Sequence, residues 1–134
     1  MKIDGQCHCG HVRFEAEIDP ARVSVCHCTD CQTLTGSPYR VTVLTPAVNI
    51  RHTGTAPKVY IKTGDNGRKR LQYFCPACGT PLFTAGEGDD DEDWGIRWGS
   101  IRQRRELPPR RQIWWRSAMP WLDTLANLPR VDRE

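Results

Sequence analysis

Seven cysteines are the residues of this chain with the clearest capacity for chemistry. They fall into three clusters: Cys7-His8-Cys9, Cys26-His27-Cys28-Thr29-Asp30-Cys31 and Cys75-Pro76-Ala77-Cys78-Gly79. Disulfides fit poorly, because the count is odd and the spacings within each cluster are too short for ordinary bridges. A redox pair would explain one cluster and leave five cysteines without a role. Metal-binding thiolates account for all seven, and zinc is the metal that this pattern predicts.

The simplest division of the cysteines is four plus three. A complete set of four thiolates forms a closed structural zinc site, and we predict that set to be Cys7, Cys9, Cys75 and Cys78. Three protein ligands leave a coordination position free, as in catalytic zinc sites, and we predict that set to be Cys26, Cys28 and Cys31. The division therefore predicts two zinc ions, one structural and one labile or catalytic.

The first and third cysteine clusters contain residues that favour a turn, which would let both sulfurs of a cluster reach one metal ion. Pro76 presets a turn between Cys75 and Cys78, and Gly79 tolerates the positive φ that follows it. Gly10 allows the chain to turn away directly after Cys9. Both segments are therefore expected to bring two sulfurs to one ion.

Other ligand sets remain open from the sequence. Cys28 and Cys31 would also pair with the Cys75 cluster, although that leaves an awkward remainder of three. His27 is an alternative fourth ligand of the middle cluster, but its side chain is expected to point away from its two neighbours. The side chain of His8 is likewise expected to point away from its two cysteine neighbours. His11 and His52 are expected to be surface strand residues rather than ligands.

Alternating apolar residues predict a mostly β fold with little helix. His11–Ile18 is the clearest strand, and further strands are predicted around Val23, Val41, Val48–Ile50, Val59, Leu71, Leu82, Trp94–Trp98 and Gln112–Trp115. Asp65-Asn66-Gly67 is typical of a hairpin tip. One helical turn is expected at Asp30–Leu34 and a short helix at Trp121–Leu128. Five tryptophans in the last third of the chain are expected to fill the core, and the alternative is that one or two of them line a pocket beside the open metal.

Length and composition predict a single domain that spans residues 1–134, with 38% hydrophobic residues. No apolar run approaches the length of about 18 residues that spans a bilayer. The N-terminus lacks the apolar region of a signal peptide, and the thiol-rich sequence suits a reducing compartment, so a cytoplasmic location is expected. Six acids fall within Glu87–Asp93, which is expected to be a mobile loop facing solvent. The rest of the chain carries 19 basic and 10 acidic residues, a net charge of +9.

The chain resembles the family of glutathione-dependent formaldehyde-activating enzymes and centromere protein V domains. The resemblance rests on three cysteine clusters in this order, on Gly36-Ser37-Pro38-Tyr39 and on Gly99-Ser100, and it covers about residues 3–122. Two positions depart from it. Gln112 stands where relatives often have a histidine, and Ile101-Arg102 stands where they often have Leu-Asp.

The resemblance implies an Mss4-like β-tent of antiparallel strands held by a structural zinc. It implies structural zinc on the set of four cysteines and labile zinc on the set of three. It also implies a carbon–sulfur lyase that joins formaldehyde to glutathione as S-hydroxymethylglutathione. The expected partner is then a small thiol such as glutathione, with Arg40 or Arg68 as candidates to bind its carboxylates.

Two other functions remain open from the sequence. The basic excess would suit a zinc module that binds a protein or nucleic acid without catalysis. No aromatic and basic recognition motif of a known nucleic-acid module is present, so nucleic acid is not the expected partner. A scaffold with an empty second site is the third possibility. The enzyme is the prediction that we carry forward.

Overall fold

Two β-sheets dominate the computed structural model, which describes residues 1–88 and 93–134. The ten strands are β1 Lys2–Gln6, β2 Arg13–Glu17, β3 Val23–Cys26, β4 Arg40–Pro46, β5 Ile50–His52, β6 Lys58–Thr63, β7 Lys69–Phe74, β8 Pro81–Gly86, β9 Asp93–Arg97 and β10 Arg111–Ile113. One α-helix, α1, spans Thr29–Thr35, and the other helical segments are short 3₁₀ turns. The predicted mostly β fold with little helix is confirmed. Within the described ranges, no helix has the length and apolarity to cross a membrane.

The strands form a small and a large sheet. The small sheet has the order β1-β2-β5, and the large sheet has the order β10-β3-β4-β9-β8-β7-β6. Every pair is antiparallel except β10 with β3, which is parallel. The expectation of antiparallel strands is therefore corrected at this edge. Because β10 reaches β3 from a distant part of the chain and not through a hairpin, its direction is not fixed by a tight turn.

The apolar core lies where the two sheets face each other. In β2 the side chains alternate, so that Phe14 and Ala16 are buried and their neighbours are exposed. Phe14 meets Phe83 of β8 edge to face, with ring centroids 5.1 Å apart. Val43 of β4 and Ile96 of β9 are fully buried in the same cluster. One face of the large sheet is therefore packed against this core, and the side chains on its opposite face take no part in the core.

Several boundaries differ from the sequence prediction. The first long strand predicted at His11–Ile18 is narrower, at Arg13–Glu17. The predicted C-terminal helix is a 3₁₀ segment over Leu122–Asn127. The hairpin tip is found as predicted between β6 and β7, where Gly67 has φ of 77°. Most of the acidic run falls on residues 89–92, which lie outside the described residues.

The tryptophans divide into two groups, and the expectation that all five fill the core is wrong. Trp94 and Trp98 pack against the core. The other three are 44–56% exposed, and they are Trp114, Trp115 and Trp121. All three come after β10, the strand at one edge of the large sheet.

Candidate metal centres and a polar cavity

The four-cysteine cluster forms where the ends of two strands meet. Cys7 follows β1 and Cys75 follows β7, and each begins a turn that carries a second cysteine, Cys9 or Cys78. The four sulfur atoms lie within 4.8 Å of one another. Cys9 Sγ lies 3.6 Å from Cys7 Sγ and 3.7 Å from Cys75 Sγ. The structure therefore brings together the four residues that the ligand count grouped.

These distances fit a zinc ion. A tetrahedron with metal–sulfur bonds of ~2.3 Å has sulfur–sulfur edges of about 3.8 Å. The two edges given above match that value, and they are far longer than a disulfide bond of about 2.05 Å. The seven thiols are all free. The donor set and its spacing thus suit a closed tetrathiolate zinc site.

The backbone around this cluster is shaped to hold thiolates. Gly10 and Gly79 take positive φ of 80° and 76° directly after the second cysteine of each turn. Backbone N–H groups donate to the buried sulfurs, as in the 3.3 Å contact from Val12 N to Cys7 Sγ. Hydrogen bonds from the hydroxyl and backbone N–H of Thr80 lower the pKa of Cys78 to about 5. Each turn therefore stabilises negative sulfur at one cysteine, Cys7 or Cys78, and the thiolate is the form that binds a metal. At Cys9 a hydrogen bond from the backbone of His11 lowers the pKa, but burial and the neighbouring thiols outweigh it and raise the pKa.

The three-cysteine cluster lies at the junction of β3 and α1. Cys26 ends β3, Cys28 is the N-cap of α1, and Cys31 lies in the helix. Cys28 Sγ accepts a hydrogen bond of 3.2 Å from Cys31 N, so the cap itself fixes the position of one sulfur. The three sulfur atoms lie within 4.8 Å of one another. No fourth His, Cys, Asp or Glu of the described ranges joins this group.

The three thiols favour different protonation states when no cation is present. A hydrogen bond from Cys31 lowers the pKa of Cys26, and the same contact raises the pKa of Cys31. Burial raises the pKa of Cys28. Three thiolates so close together repel one another, and a bound divalent cation removes that repulsion. The donor set of the three-cysteine cluster is therefore also suited to zinc, with one position left for another ligand.

His27 turns away from the neighbouring sulfurs and is held by β10. Its side chain is 1% exposed, and Nε2 lies 2.7 Å from Oε1 of Gln112. Tyr39 and Trp115 meet the imidazole edge to face, at 5.7 and 5.2 Å. Nδ1 is the one fully buried side-chain nitrogen or oxygen of the described residues that has no partner. Gln112, the departure noted in the sequence, thus has a definite structural partner.

The remaining histidines take no place in either cluster. His11 lies before β2 and not in it, and its Nδ1 is 3.0 Å from Cys9 Sγ, at the rim of the four-cysteine cluster. His52 ends β5 and packs on Phe83 and Trp94, with centroid distances of 5.1 and 6.2 Å. His8 donates its backbone N–H to Thr80. The grouping of potential ligands contains cysteines alone.

A polar band covers the face of the large sheet that is turned away from the core. Register places its residues side by side on successive strands: Cys26 with Arg40, Thr42 with Arg97, and Thr84 with Gln72. We call Arg40, Thr42, Arg97, Thr84 and Gln72 the polar face. Four of these five residues are buried, and Gln72 is partly exposed.

Hydrogen bonds join the members of the polar face. Arg97 donates to Thr42 Oγ1 at 2.9 Å and to Gln72 Oε1 at 2.6 Å. Arg40 donates to the same Gln72 oxygen at 3.3 Å, and Gln72 donates to Thr84 Oγ1 at 3.0 Å. Burial, together with repulsion from Arg40, lowers the pKa of Arg97 to about 9. Arg97 is therefore still charged at neutral pH, and its side-chain hydrogen bonds within the described residues go to neutral acceptors.

The helix α1 lies across the polar face and leaves a cavity beneath it. Asp30 of α1 forms an ion pair of 2.7 Å with Lys62 of β6, which anchors the helix over the sheet. The cavity has a volume of about 340 Å³. Its lining includes Leu34 of α1 together with Arg40, Tyr60, Gln72 and Arg97. The three-cysteine cluster, at the start of the same helix, is close enough for its sulfurs to interact electrostatically with Arg40.

Arg40 and Arg68, the two arginines named from the sequence, lie in different places. Arg40 is buried beside the three-cysteine cluster. Arg68 is exposed at the β6–β7 hairpin, where it lines a separate surface groove. Arg97 and Gln72 were not identified from the sequence. The signal for Arg97 was its place within a strand between two tryptophans, which is an uncommon setting for a solvated charge.

Comparison with known proteins agrees with the pattern of cysteines. The family model described as glutathione-dependent formaldehyde-activating enzyme matches residues 2–117. The chain belongs to this family. The match covers both cysteine clusters, the polar face and β10, so the family assignment applies to the whole of the site described above.

Two individual proteins are similar to this chain. An uncharacterised lyase of Schizosaccharomyces pombe is 27% identical over 84 residues, which is 63% of this chain and 58% of the relative's length. The crystal structure of a Rhodobacter sphaeroides protein superposes with a TM-score of 0.63 and 20% identity, and it covers 81% of this chain and 98% of that one. At that identity the second likeness supports the fold alone.

Proposed function

We propose that this family member is a zinc-dependent carbon–sulfur lyase that acts on the adduct of a small thiol, such as glutathione, with formaldehyde or a similar aldehyde. The observation that carries the proposal is the division of seven cysteines into a set of four and a set of three. In this proposal Cys7, Cys9, Cys75 and Cys78 hold a structural zinc, and Cys26, Cys28 and Cys31 hold a second zinc with a free position. The family and the lyase-named relative support it.

The two clusters differ in what they do for the chain. The four-cysteine cluster joins the end of β1 to the turn after β7, so its metal contributes to folding. The three-cysteine cluster holds its sulfurs on a helix cap beside a cavity. A zinc ion bound there would lower the pKa of a thiol that coordinates it, which is the chemistry that zinc supplies.

The reaction requires one bond to form between sulfur and carbon. The substrate thiolate adds to the carbonyl carbon of the aldehyde, the π electrons of the C=O bond move to oxygen, and that oxygen takes a proton from solvent. The product is a hydroxymethyl thioether, and the reverse reaction cleaves the same carbon–sulfur bond. The residues of the chain contribute by binding and orienting the thiol.

Metal analysis of matched cysteine variants tests this proposal. The wild-type protein is expected to contain about two zinc ions per chain. Cys28→Ala should remain folded, retain about one zinc and lose metal-dependent formation of the thiol–aldehyde adduct. Cys78→Ala should lose the structural zinc and unfold, as judged by circular dichroism.

Three outcomes would contradict the proposal. Equal unfolding of both variants would remove the distinction between the clusters. A single zinc in the wild-type protein, with adduct formation no faster than without protein, would leave a scaffold. Salt-dependent binding of DNA without any turnover would favour the binding module with a basic face.

A further inference from the structure

We infer that Arg40 and Arg97 form a binding subsite for a carboxylate on the substrate thiol, in the cavity beneath α1. This inference rests on the proposed function and extends it to substrate selection. Arg40 and Arg97 are 5% and 9% exposed, which is rare for arginine unless a negative group accompanies it. Neither guanidinium forms an ion pair with a carboxylate of the described residues.

The hydrogen bonds of the two arginines leave donors free. A guanidinium has five N–H groups, and the side chain of Arg40 donates one hydrogen bond, to Gln72, while Arg97 donates two. Among the described side chains, the only nitrogen or oxygen that is sealed from solvent without a partner is His27 Nδ1. The spare guanidinium nitrogens are therefore not sealed from solvent. Both arginines line the cavity beneath α1, and both also line a second cavity of about 380 Å³ that includes Tyr39 and Trp98.

The charge balance of the site favours a negative ligand. Arg40 and Arg97 each carry a positive charge, and no carboxylate of the described residues lies beside either of them. A buried positive charge without a negative partner is costly. A carboxylate neutralises it, and the planar fork of a guanidinium matches the two oxygens of a carboxylate.

Position gives the subsite a role in selecting the thiol. Arg40 pairs with Cys26 across β3 and β4, so the subsite begins at the residue next to the cluster. A ligand whose sulfur reaches the three-cysteine cluster would place a carboxylate a few bonds away over the arginines. A neutral thiol of the same length gains no such contact. Thiols that carry a carboxylate are therefore the substrate class that this cavity selects.

Calorimetric binding to the zinc-loaded protein tests this inference with 3-mercaptopropionate, 3-mercapto-1-propanol and propionate. The acidic thiol should bind the wild-type protein at least about tenfold more tightly than the alcohol, as expected for a charge-assisted hydrogen bond. Arg40→Gln should remove this preference, and Arg40→Lys should retain part of it. Arg68→Gln, which changes an exposed arginine in another groove, should keep the full preference. Circular dichroism and zinc content establish that each variant is folded and loaded.

The possible results separate the subsite from the reaction. Equal binding of both thiols to the wild-type protein overturns the subsite and leaves the thiol chemistry intact. A preference that survives in folded Arg40→Gln overturns it as well. Binding of propionate that depends on Arg40, without binding of the alcohol, supports the subsite and contradicts the proposed function. The absence of binding by all three probes overturns both.

Discussion

Gly5 is a position where one added atom would not fit between β2 and the segment that follows β9. It is buried in β1 and forms an isolated antiparallel bridge with Ile101, at the segment that follows β9. A Cβ atom at this position would lie 2.3 Å from Phe14 and 2.4 Å from the backbone oxygen of Ser100. Such distances are too short for any side chain, so glycine is required here by close approach.

The first prediction concerns this close approach. Gly5→Ala should lower the free energy of unfolding by about 1–3 kcal/mol or more, because Phe14 or the backbone of Ser100 must move. Urea denaturation measures the change. Gly99→Ala is the control, since Gly99 is exposed and has no atom within 4 Å of the added Cβ, and it should change stability by no more than about 0.5 kcal/mol. Equal effects of the two substitutions would contradict the packing described for Gly5.

His52 gives a second prediction, on the dependence of stability on pH. Burial against Phe83 and Trp94 lowers the pKa of His52 below its ordinary value of 6.5. The folded state therefore favours the neutral imidazole, and its contribution is complete above pH 6.5 and is lost as the pH falls towards the lowered folded-state pKa. His52→Phe should lose less stability than the wild-type protein between pH 8 and pH 5.5. Parallel pH profiles from thermal denaturation would contradict this.

Among the secondary-structure elements, β10 closes one edge of the large sheet and supports the surroundings of the three-cysteine cluster. Its parallel pairing aligns Gln112 with Val25, and the Gln112 side chain reaches the imidazole of His27. The backbone N–H of His27 also donates to the carbonyl oxygen of Ile113. A strand of three residues thus fixes a segment that lies between two of the proposed zinc ligands.

The third prediction tests this support. Gln112→Leu should lower the free energy of unfolding by about 1–3 kcal/mol, because the buried His27 then loses the partner of Nε2. It should also increase the rate at which a chelator removes the more labile zinc. Arg111→Gln is the matched control, since Arg111 is an exposed residue of the same strand. If both variants lose zinc at the wild-type rate, β10 does not hold the cluster in place.

The elements themselves were largely predictable, and the polar face was not. Alternation of apolar residues located most strands, because each of them buries one face against the same core. The same alternation in Arg40-Val41-Thr42-Val43 suggests a strand whose polar side faces water. Whether α1 folds back over that side depends on the Asp30–Lys62 ion pair and on the shape of the large sheet. Neither is visible in the local pattern, so the sequence identified Arg40 only as one of two candidates and did not identify Arg97.

The division of the cysteines was predictable for a different reason. The division into sets of four and three cysteines follows from the coordination number of zinc, which does not depend on the path of the chain. The structure places the sulfurs in these two groups, whereas the presence of zinc in each remains a prediction. Hydrogen bonds to the sulfurs, such as the one from Val12 N, could not be predicted because they depend on the turn that the backbone makes.

At the scale of the whole molecule, the four-cysteine cluster links the small sheet to the large one. The first two cysteines follow β1, and the other two lie between β7 and β8. Core contacts such as Phe14 with Phe83, and a hydrogen bond of 2.7 Å from Thr45 to the backbone oxygen of Glu17, also join the two sheets. A metal at this junction would therefore stabilise the relative position of the two sheets.

The fourth prediction follows from that junction. As a chelator removes zinc, hydrogen exchange should rise first in β1 and β2, before the central strands β4 and β9 lose their protection. Cys9→Ala, which lacks one ligand of the same cluster, should unfold as Cys78→Ala does, so the order of opening is measured on the wild-type protein. Cys31→Ala, the control in the other cluster, should leave exchange in β1 unchanged. A uniform rise in exchange over all strands would show that the junction is not the first part to open.

The distances along the chain between paired groups have a consequence for biosynthesis. Cys9 and Cys75 are separated by 66 positions, and His27 and Gln112 by 85. During translation Cys9 and His27 therefore leave the ribosome well before the residues that they contact in the folded chain. We expect the thiols exposed in this interval to stay reduced only where zinc binds early or the surroundings are reducing.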